Sequence, residues 1–176
     1  MSDDLLFHAL DLACIVDSQS LTIQETADLT RRFWQADSEL LLPEFRDDYR
    51  RWLYDVLYWA GYLYDKVTID AEFPALQEFS DGVLERETLV RDMFDMDLFF
   101  KTLYVRIVYL DSQDYVRMKL RTLLSAYGYR RRSPHLVRYI EQCLEFYHLR
   151  TSLRGNVTCD VSEIKLDDMV TFRCIS

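Results

Sequence analysis

Cysteine and histidine side chains are the first candidates for chemistry, because thiolates and imidazoles bind metals and act as nucleophiles or bases. One group near the C-terminus contains the donor types of a Cys3His zinc site: Cys143, His148, Cys159 and Cys174. Their spacing matches no usual zinc-finger pattern, and Cys143 falls on an apolar helical face. We therefore predict no metal and no cofactor, and we interpret the cysteines as free thiols in a reducing compartment.

Carboxylates and histidines also supply no recognisable catalytic set. The three histidines are far apart and lack a flanking glycine motif: His8, His135 and His148. Asp92 and Asp95 share a helical face, whereas Asp97 is expected to point elsewhere, and no basic residue or histidine completes a site. We interpret the aspartates as a solvated acidic face, and we predict that the protein is not an enzyme.

The basic residues are concentrated in one stretch of an otherwise acidic chain. The net charge is −9, yet residues 115–154 contain nine basic and only two acidic side chains, whereas residues 1–114 contain 24 acidic and 10 basic ones. Such a segment is typical of phosphate contact. The predicted nucleic-acid-binding residues are Arg117, Arg121, Arg130, Arg131, Arg132, Arg138, Arg150 and Arg154. The alternative is that these arginines pair with the acidic part of the chain or with a second copy.

A tyrosine ladder, Tyr54, Tyr58 and Tyr62, follows the second face of a helix over residues 45–64. A helix that is apolar on two faces is usually central, which favours a core position with the hydroxyls at the rim. The alternative is a partner-binding surface. The apolar pattern covers more surface than one small bundle buries, so we expect a homodimer or a complex with another protein.

Periodicity predicts helices in the N-terminal part. Residues 3–16 have helical spacing, Thr22 and Glu25 form a capping box for a second helix, and Pro43 suits the first turn of a third. The third helix is expected to bury Trp52, Val56 and Leu57. Residues 67–83 are expected to form an irregular connection.

The C-terminal part predicts helices followed by two strands. Residues 98–110 favour a helix by their length, although a buried strand is the alternative. A helix with Val116 and Leu120 inward is predicted to follow Asp111–Asp114 and to end at Gly128, and Ser133-Pro134 begins another. Residues 157–161 and 169–175 are predicted to be short strands.

These elements predict a mainly α fold: an acidic helical bundle over residues 1–110 and a basic, winged-helix-like module over residues 111–176 that ends in a β-hairpin. We expect a non-enzymatic accessory or regulatory protein that contacts nucleic acid through the second part and a protein partner through the first. The alternative is a pure interaction adaptor or inhibitor with an acidic surface. The acidic N-terminus and the lack of a long apolar stretch predict a cytoplasmic protein that does not contact membranes.

Overall fold

The structure is a computed structural model, and it describes residues 3–61, 96–126, 128–154 and 157–175. This part of the chain is mainly helical and contains one small antiparallel sheet of three strands. The chain divides into two compact units, Met1–Arg91 and Asp92–Ser176. The sequence-based division was placed at 110/111, inside the second unit, and the separate functions assigned to its two sides stay predictions.

The first unit contains four α-helices in its described residues. They are α1 (Ala9–Ser18), α2 (Ile23–Asp37), α3 (Pro43–Arg46) and α4 (Tyr49–Trp59), with 3-10 turns at Asp3–Leu5 and Ser38–Leu40. Phe7 lies beside Leu41 in a parallel bridge, in which the Phe7 amide donates to the Leu40 carbonyl over 2.7 Å.

Side-chain caps define where the first two helices begin. The His8 Nδ1 accepts from the Leu10 amide over 3.0 Å, and Asp11 accepts from the His8 amide, so α1 begins at Ala9 rather than at residue 3 as predicted. The predicted capping box of α2 is confirmed, because the Glu25 amide donates to the Thr22 hydroxyl over 3.2 Å and the Thr22 amide donates to Glu25 over 2.7 Å.

The predicted third helix is divided in two. Pro43 occupies its first turn as expected, but α3 stops at Arg46, and the Asp48 carboxylate starts α4 by accepting from the Arg51 amide. The helix ends at Trp59, before Gly61 with a φ of 81°, a left-handed conformation that glycine adopts without strain. The predicted continuation to residue 64 and the irregular connection at 67–83 lie outside the described residues.

The aromatic core of the first unit surrounds α4. Trp52, Val56 and Leu57 are each 0% exposed, which confirms the prediction for this helix. The Trp52 ring lies 5.3 Å from that of Phe45 and 6.2 Å from that of Phe33, and its indole N–H donates to the Thr30 carbonyl. The α4 stripe therefore joins α2 and α3 in one packed core.

The second unit has the order helix, strand, helix, helix, strand, strand. Its elements are α5 (Met96–Val105), a π-helical turn (Arg106–Leu110), β1 (Tyr115–Lys119), α6 (Leu120–Ala126), α7 (Pro134–Phe146), β2 (Leu149–Ser152) and β3 (Met169–Cys174). Residues 98–110 are thus helical, as their length predicted. The predicted start of α7 is confirmed, since the Ser133 hydroxyl accepts from the Leu136 amide and Pro134 is the first helical residue.

Two secondary-structure predictions for this unit were wrong. Residues 115–119 form a strand rather than the first turns of a helix, because they pair with β3, where Arg117 lies opposite Thr171. Residues 157–161 make only an isolated bridge, Ser152 with Thr158, and the second paired strand is β2, which immediately follows α7. The hairpin partner of β3 is therefore earlier in the chain than predicted.

The sheet has the order β1-β3-β2 and is antiparallel throughout. One face packs on the unit's helices: Phe172 of β3 lies 6.3 Å from Phe99 and 6.4 Å from Phe100 of α5, by ring centroids. Val116 and Thr151 lie opposite Phe172 on this inner face, and both are buried. Because successive side chains of a strand point to opposite faces, the residues next to these three in each strand lie on the outer face.

No helix in the described ranges is both long enough and apolar enough to cross a membrane.

Candidate nucleic-acid interface

The basic turn before α7 is built on a glycine. Gly128 has a φ of 78°, and the amide of the next residue, Tyr129, donates to the Leu124 carbonyl. This glycine turn ends α6, as predicted. Arg130 and Arg131 are exposed and make no ion pair with any residue that the structure describes. Arg132 differs from both, because it is half-buried and its guanidinium donates to the Val161 carbonyl over 2.6 Å. It anchors the turn to the loop between β2 and β3.

The outward side of α7 carries mixed charge. Arg138 is exposed one turn after the helix begins, and Glu141 and Glu145 are exposed further along. The buried side is the predicted one, with Leu136, Ile140, Cys143 and Leu144 all buried. The cationic end of α7 is therefore its N-terminal end, where the helix dipole also favours anions.

Arg121 is held by an ion pair at the protein surface. Its guanidinium contacts both Asp167 carboxylate oxygens, at 2.8 and 3.1 Å. The hydrogen bond from Arg121 lowers the pKa of Asp167, and the same contact raises the pKa of Arg121. This predicted site residue is thus already paired with a carboxylate within its own unit.

Arg117 and Arg150 lie apart from the turn, on the outer face of the sheet, and both are exposed. Arg154 is exposed in the turn that follows β2. The structure therefore divides the predicted arginines between the N-terminal end of α7, the outer sheet face and the loop after β2, with Arg121 on α6.

Three residues that the sequence analysis did not select share the outer face with Arg117 and Arg150. Tyr115 and Lys119 extend from β1, and Arg173 extends from β3. Period-two alternation in residues 115–119 was the signal that could have identified the first two.

The tyrosine ladder is not one exposed surface. Tyr54 is 2% exposed and packs with Leu53 and Leu57 in the core of the first unit, whereas Tyr58 is half-buried. Tyr62 lies outside the described residues. The core interpretation fits Tyr54, and partner contact through Tyr58 or Tyr62 stays a prediction.

The cysteines and histidines are dispersed. Within the described part of the chain, no three residues of the metal-binding types are placed to hold an ion. Cys143 is fully buried, and its burial, with a smaller effect from Asp97, raises its pKa to about 12. His8 caps α1, whereas His135 and His148 are exposed.

The interpretation of Asp97 as part of a solvated acidic face was wrong. Its side chain is 8% exposed, and it accepts a hydrogen bond from Lys101, which is 1% exposed, over 3.0 Å. Asp92 and Asp95 lie outside the described residues. The pair is a buried structural ion pair within α5.

A shallow groove of about 470 Å³ lies where the π-helical turn meets β1, lined by Arg106, Leu110, Asp111, Ser112 and Gln113. Arg106 spans it with an ion pair to Asp111 of 3.0 Å. The lining contains no histidine or cysteine, and its one carboxylate, Asp111, is held by Arg106.

Comparison with known proteins gives no family: no protein-family model, no curated protein and no solved structure matches the chain.

Proposed function

We propose that the chain is a non-enzymatic accessory or regulatory protein whose second unit is a winged-helix-like module that contacts duplex nucleic acid. The order of elements supports this proposal. A winged helix needs three helices and a strand hairpin, and α5 supplies a helix before α6 and α7, which β2 and β3 follow. In this arrangement α7 would face the duplex, and the loop between β2 and β3 would be the wing.

The observation that carries the proposal is a pair of exposed arginines before α7 that make no ion pair with any described residue. Arg130 and Arg131 are exposed beside the capped start of that helix, and Arg138 is exposed one turn later. Cations at a helix N-terminus favour phosphate binding, because the helix dipole adds to their positive charge. The Arg132 contact with Val161 would hold the turn next to the wing.

The contact of α7 with the duplex should be to the sugar-phosphate backbone rather than to base edges. Glu141 and Glu145 are exposed on the part of α7 that would extend along a groove, and they repel phosphates. Phosphate contacts position a protein on nucleic acid without specifying sequence. We therefore expect weak sequence dependence and a steep loss of affinity with salt.

The test is a salt titration of binding to a mixed-sequence duplex by the whole chain. Replacing Arg130 and Arg131 with Ala should lower the salt slope by about 1.8, at about 0.9 for each lost phosphate contact. Arg132 is left in place because it holds the turn. Arg50→Ala is the matched control, since Arg50 is exposed on α4 of the first unit, outside both the N-terminal end of α7 and the wing. An unchanged slope in the double variant would contradict the proposal.

The second candidate function is a protein-interaction adaptor or inhibitor. Residues 1–91 contain 19 acidic and 8 basic side chains, a charge that suits a basic partner and opposes a polyanion. We propose that the first unit contacts a protein partner or a second copy under either function, and the four free cysteines favour a cytoplasmic location. Failure of the whole chain to bind either duplex or single-stranded nucleic acid at about 50 mM salt would give the adaptor function first place.

A further inference from the structure

The outer sheet face is a second cationic surface of the second unit. We define it by Tyr115, Arg117, Lys119, Arg150 and Arg173. The strand register places Tyr115, Arg173 and Arg150 in one row across β1, β3 and β2. The three strands together contain four basic residues and no acidic one. All four basic side chains extend from the face opposite Phe172.

The face is exposed at several of its basic side chains, buried at Ser152 and Thr171, and its side chains contact one another. Arg117, Lys119 and Arg150 are exposed, whereas Tyr115 and Arg173 are half-buried. The Arg173 and Arg117 guanidinium carbons lie 5.1 and 5.7 Å from the centre of the Tyr115 ring. Arg117 also donates to the Thr171 hydroxyl over 3.2 Å. The result is a cluster of planar groups that combines an aromatic ring with positive charge.

The strand register also places two positively charged residues directly opposite each other. Arg150 and Arg173 are direct cross-strand partners, and like charges in such positions destabilise a sheet. Arg150 has no ion-pair partner among the residues that the structure describes. An anion bound beside Arg150 would reduce this repulsion.

The shape of the face selects the kind of anion. Its three strands span about 10 Å between the outer strand axes before side chains are added. A duplex major groove admits one helix or a two-stranded ribbon, so three strands lying side by side with their side chains exceed what it admits. A single strand instead lies across a sheet, with its phosphates on cations and its bases stacked on aromatic and guanidinium planes.

We propose that the outer sheet face binds single-stranded nucleic acid, with Tyr115 and its two arginines as the stacking platform and Lys119 and Arg150 as phosphate contacts. This surface is distinct from the N-terminal end of α7, and the proposal stands independently of duplex binding there.

The experiment measures binding of the whole chain to a labelled strand of about 12 nucleotides, within the usual site size, as DNA and as RNA, and to the same DNA strand annealed to its complement. Tyr115→Leu should weaken single-strand binding by about 5- to 150-fold, the value of one stacked base, whereas Tyr115→Phe should retain it. Replacing Lys119 and Arg150 with Gln should lower the single-strand salt slope by about 1.4.

Controls separate this surface from the others. Arg50→Gln, an exposed residue of the first unit, should leave single-strand binding unchanged, and Arg130→Ala with Arg131→Ala should weaken duplex binding only. Arg150→Gln alone should weaken single-strand binding while its melting temperature stays equal or rises, because it removes the like-charge pair. If Arg150 instead has a structural role, Arg150→Gln should lower both the single-strand affinity and the melting temperature.

Three results would overturn the proposal: no single-strand binding, equal binding by Tyr115→Leu and the original chain, or a loss that follows Arg130 and Arg131 instead of the sheet. If the original chain binds the single strand but not the duplex, only the function proposed for α7 is overturned. Preference between the DNA and RNA strands identifies which single strand the face accepts.

Discussion

The buried pair of Asp97 and Lys101 allows a quantitative prediction about the second unit. The two charged groups are 3.0 Å apart, one helical turn from each other on α5, with 8% and 1% of their side chains exposed. Removing one partner takes this opposite charge away from a buried group, which costs far more than the loss of a surface pair. Lys101→Met and Asp97→Leu should therefore each destabilise the unit severely.

The size of the expected destabilisation follows from the distance between the two charged groups. Two unit charges 3.0 Å apart attract by about 5 kcal/mol at an effective dielectric constant of about 20. Measured losses on breaking buried pairs are about 3–5 kcal/mol, so we expect that decrease in the free energy of unfolding for each single variant. The double variant Asp97→Leu with Lys101→Met removes both charges, and it should cost less than either single change.

Two probes distinguish the second unit from the first. All three tryptophans lie in residues 1–91, so their fluorescence follows the first unit during urea unfolding. Cys143 is 0% exposed and its thiol has a pKa of about 12, so its alkylation near pH 8 should require opening of the second unit. Mass spectrometry of the Cys143 peptide across a urea series then measures stability where the ion pair lies.

A surface pair provides the control. Arg31 contacts Asp28 over 2.6 Å, but their side chains are 51% and 48% exposed, and Arg31→Met should change stability little. Single Asp97 or Lys101 variants that lose less than about 1 kcal/mol would refute the reasoning, because buried pairs cost more than this to break. A double variant that loses the sum of the two single changes would refute it equally, since it would show no coupling.

The remaining predictions concern packing and backbone conformation. Leu57→Ala should lower the free energy of unfolding by about 2–5 kcal/mol, because Leu57 is 0% exposed in the core of the first unit; an unchanged urea midpoint by tryptophan fluorescence would contradict its core position. Gly128→Ala should cost roughly 1–2 kcal/mol through its φ of 78° alone, since an added Cβ meets nothing within 4 Å; a thermal melt that shows no loss would mean that the turn changes conformation.

Features with a local cause could be predicted from the sequence. The Thr22 and Glu25 box, the Ser133-Pro134 start and the Gly128 turn each depend on residues within a few positions, and all three are present. Such signals are visible in one sequence because both partners of each hydrogen bond lie in the same short segment.

Features that depend on residues far away in the chain could not be predicted from the sequence. Residues 115–119 form a strand because their partner, β3, begins at Met169, and the inward Val116 happens to continue the apolar stripe of α6. A five-residue alternation is too short to outweigh that helical pattern. The Asp97 and Lys101 spacing was visible in the sequence, but the burial that makes it a structural pair comes from the rest of the fold.

The acidic average of the chain does not decide where a polyanion binds. Charges act over about 8 Å at physiological salt, so the local arrangement matters more than a net charge of −9. Within the second unit, Asp111 and Asp167 are engaged by Arg106 and Arg121. Arg130, Arg131 and Arg150 have no such partner in the described ranges. Local pairing therefore removes acidic groups from competition and leaves the unpaired cations on two surfaces, the N-terminal end of α7 and the outer sheet face, which is where we expect phosphates to bind.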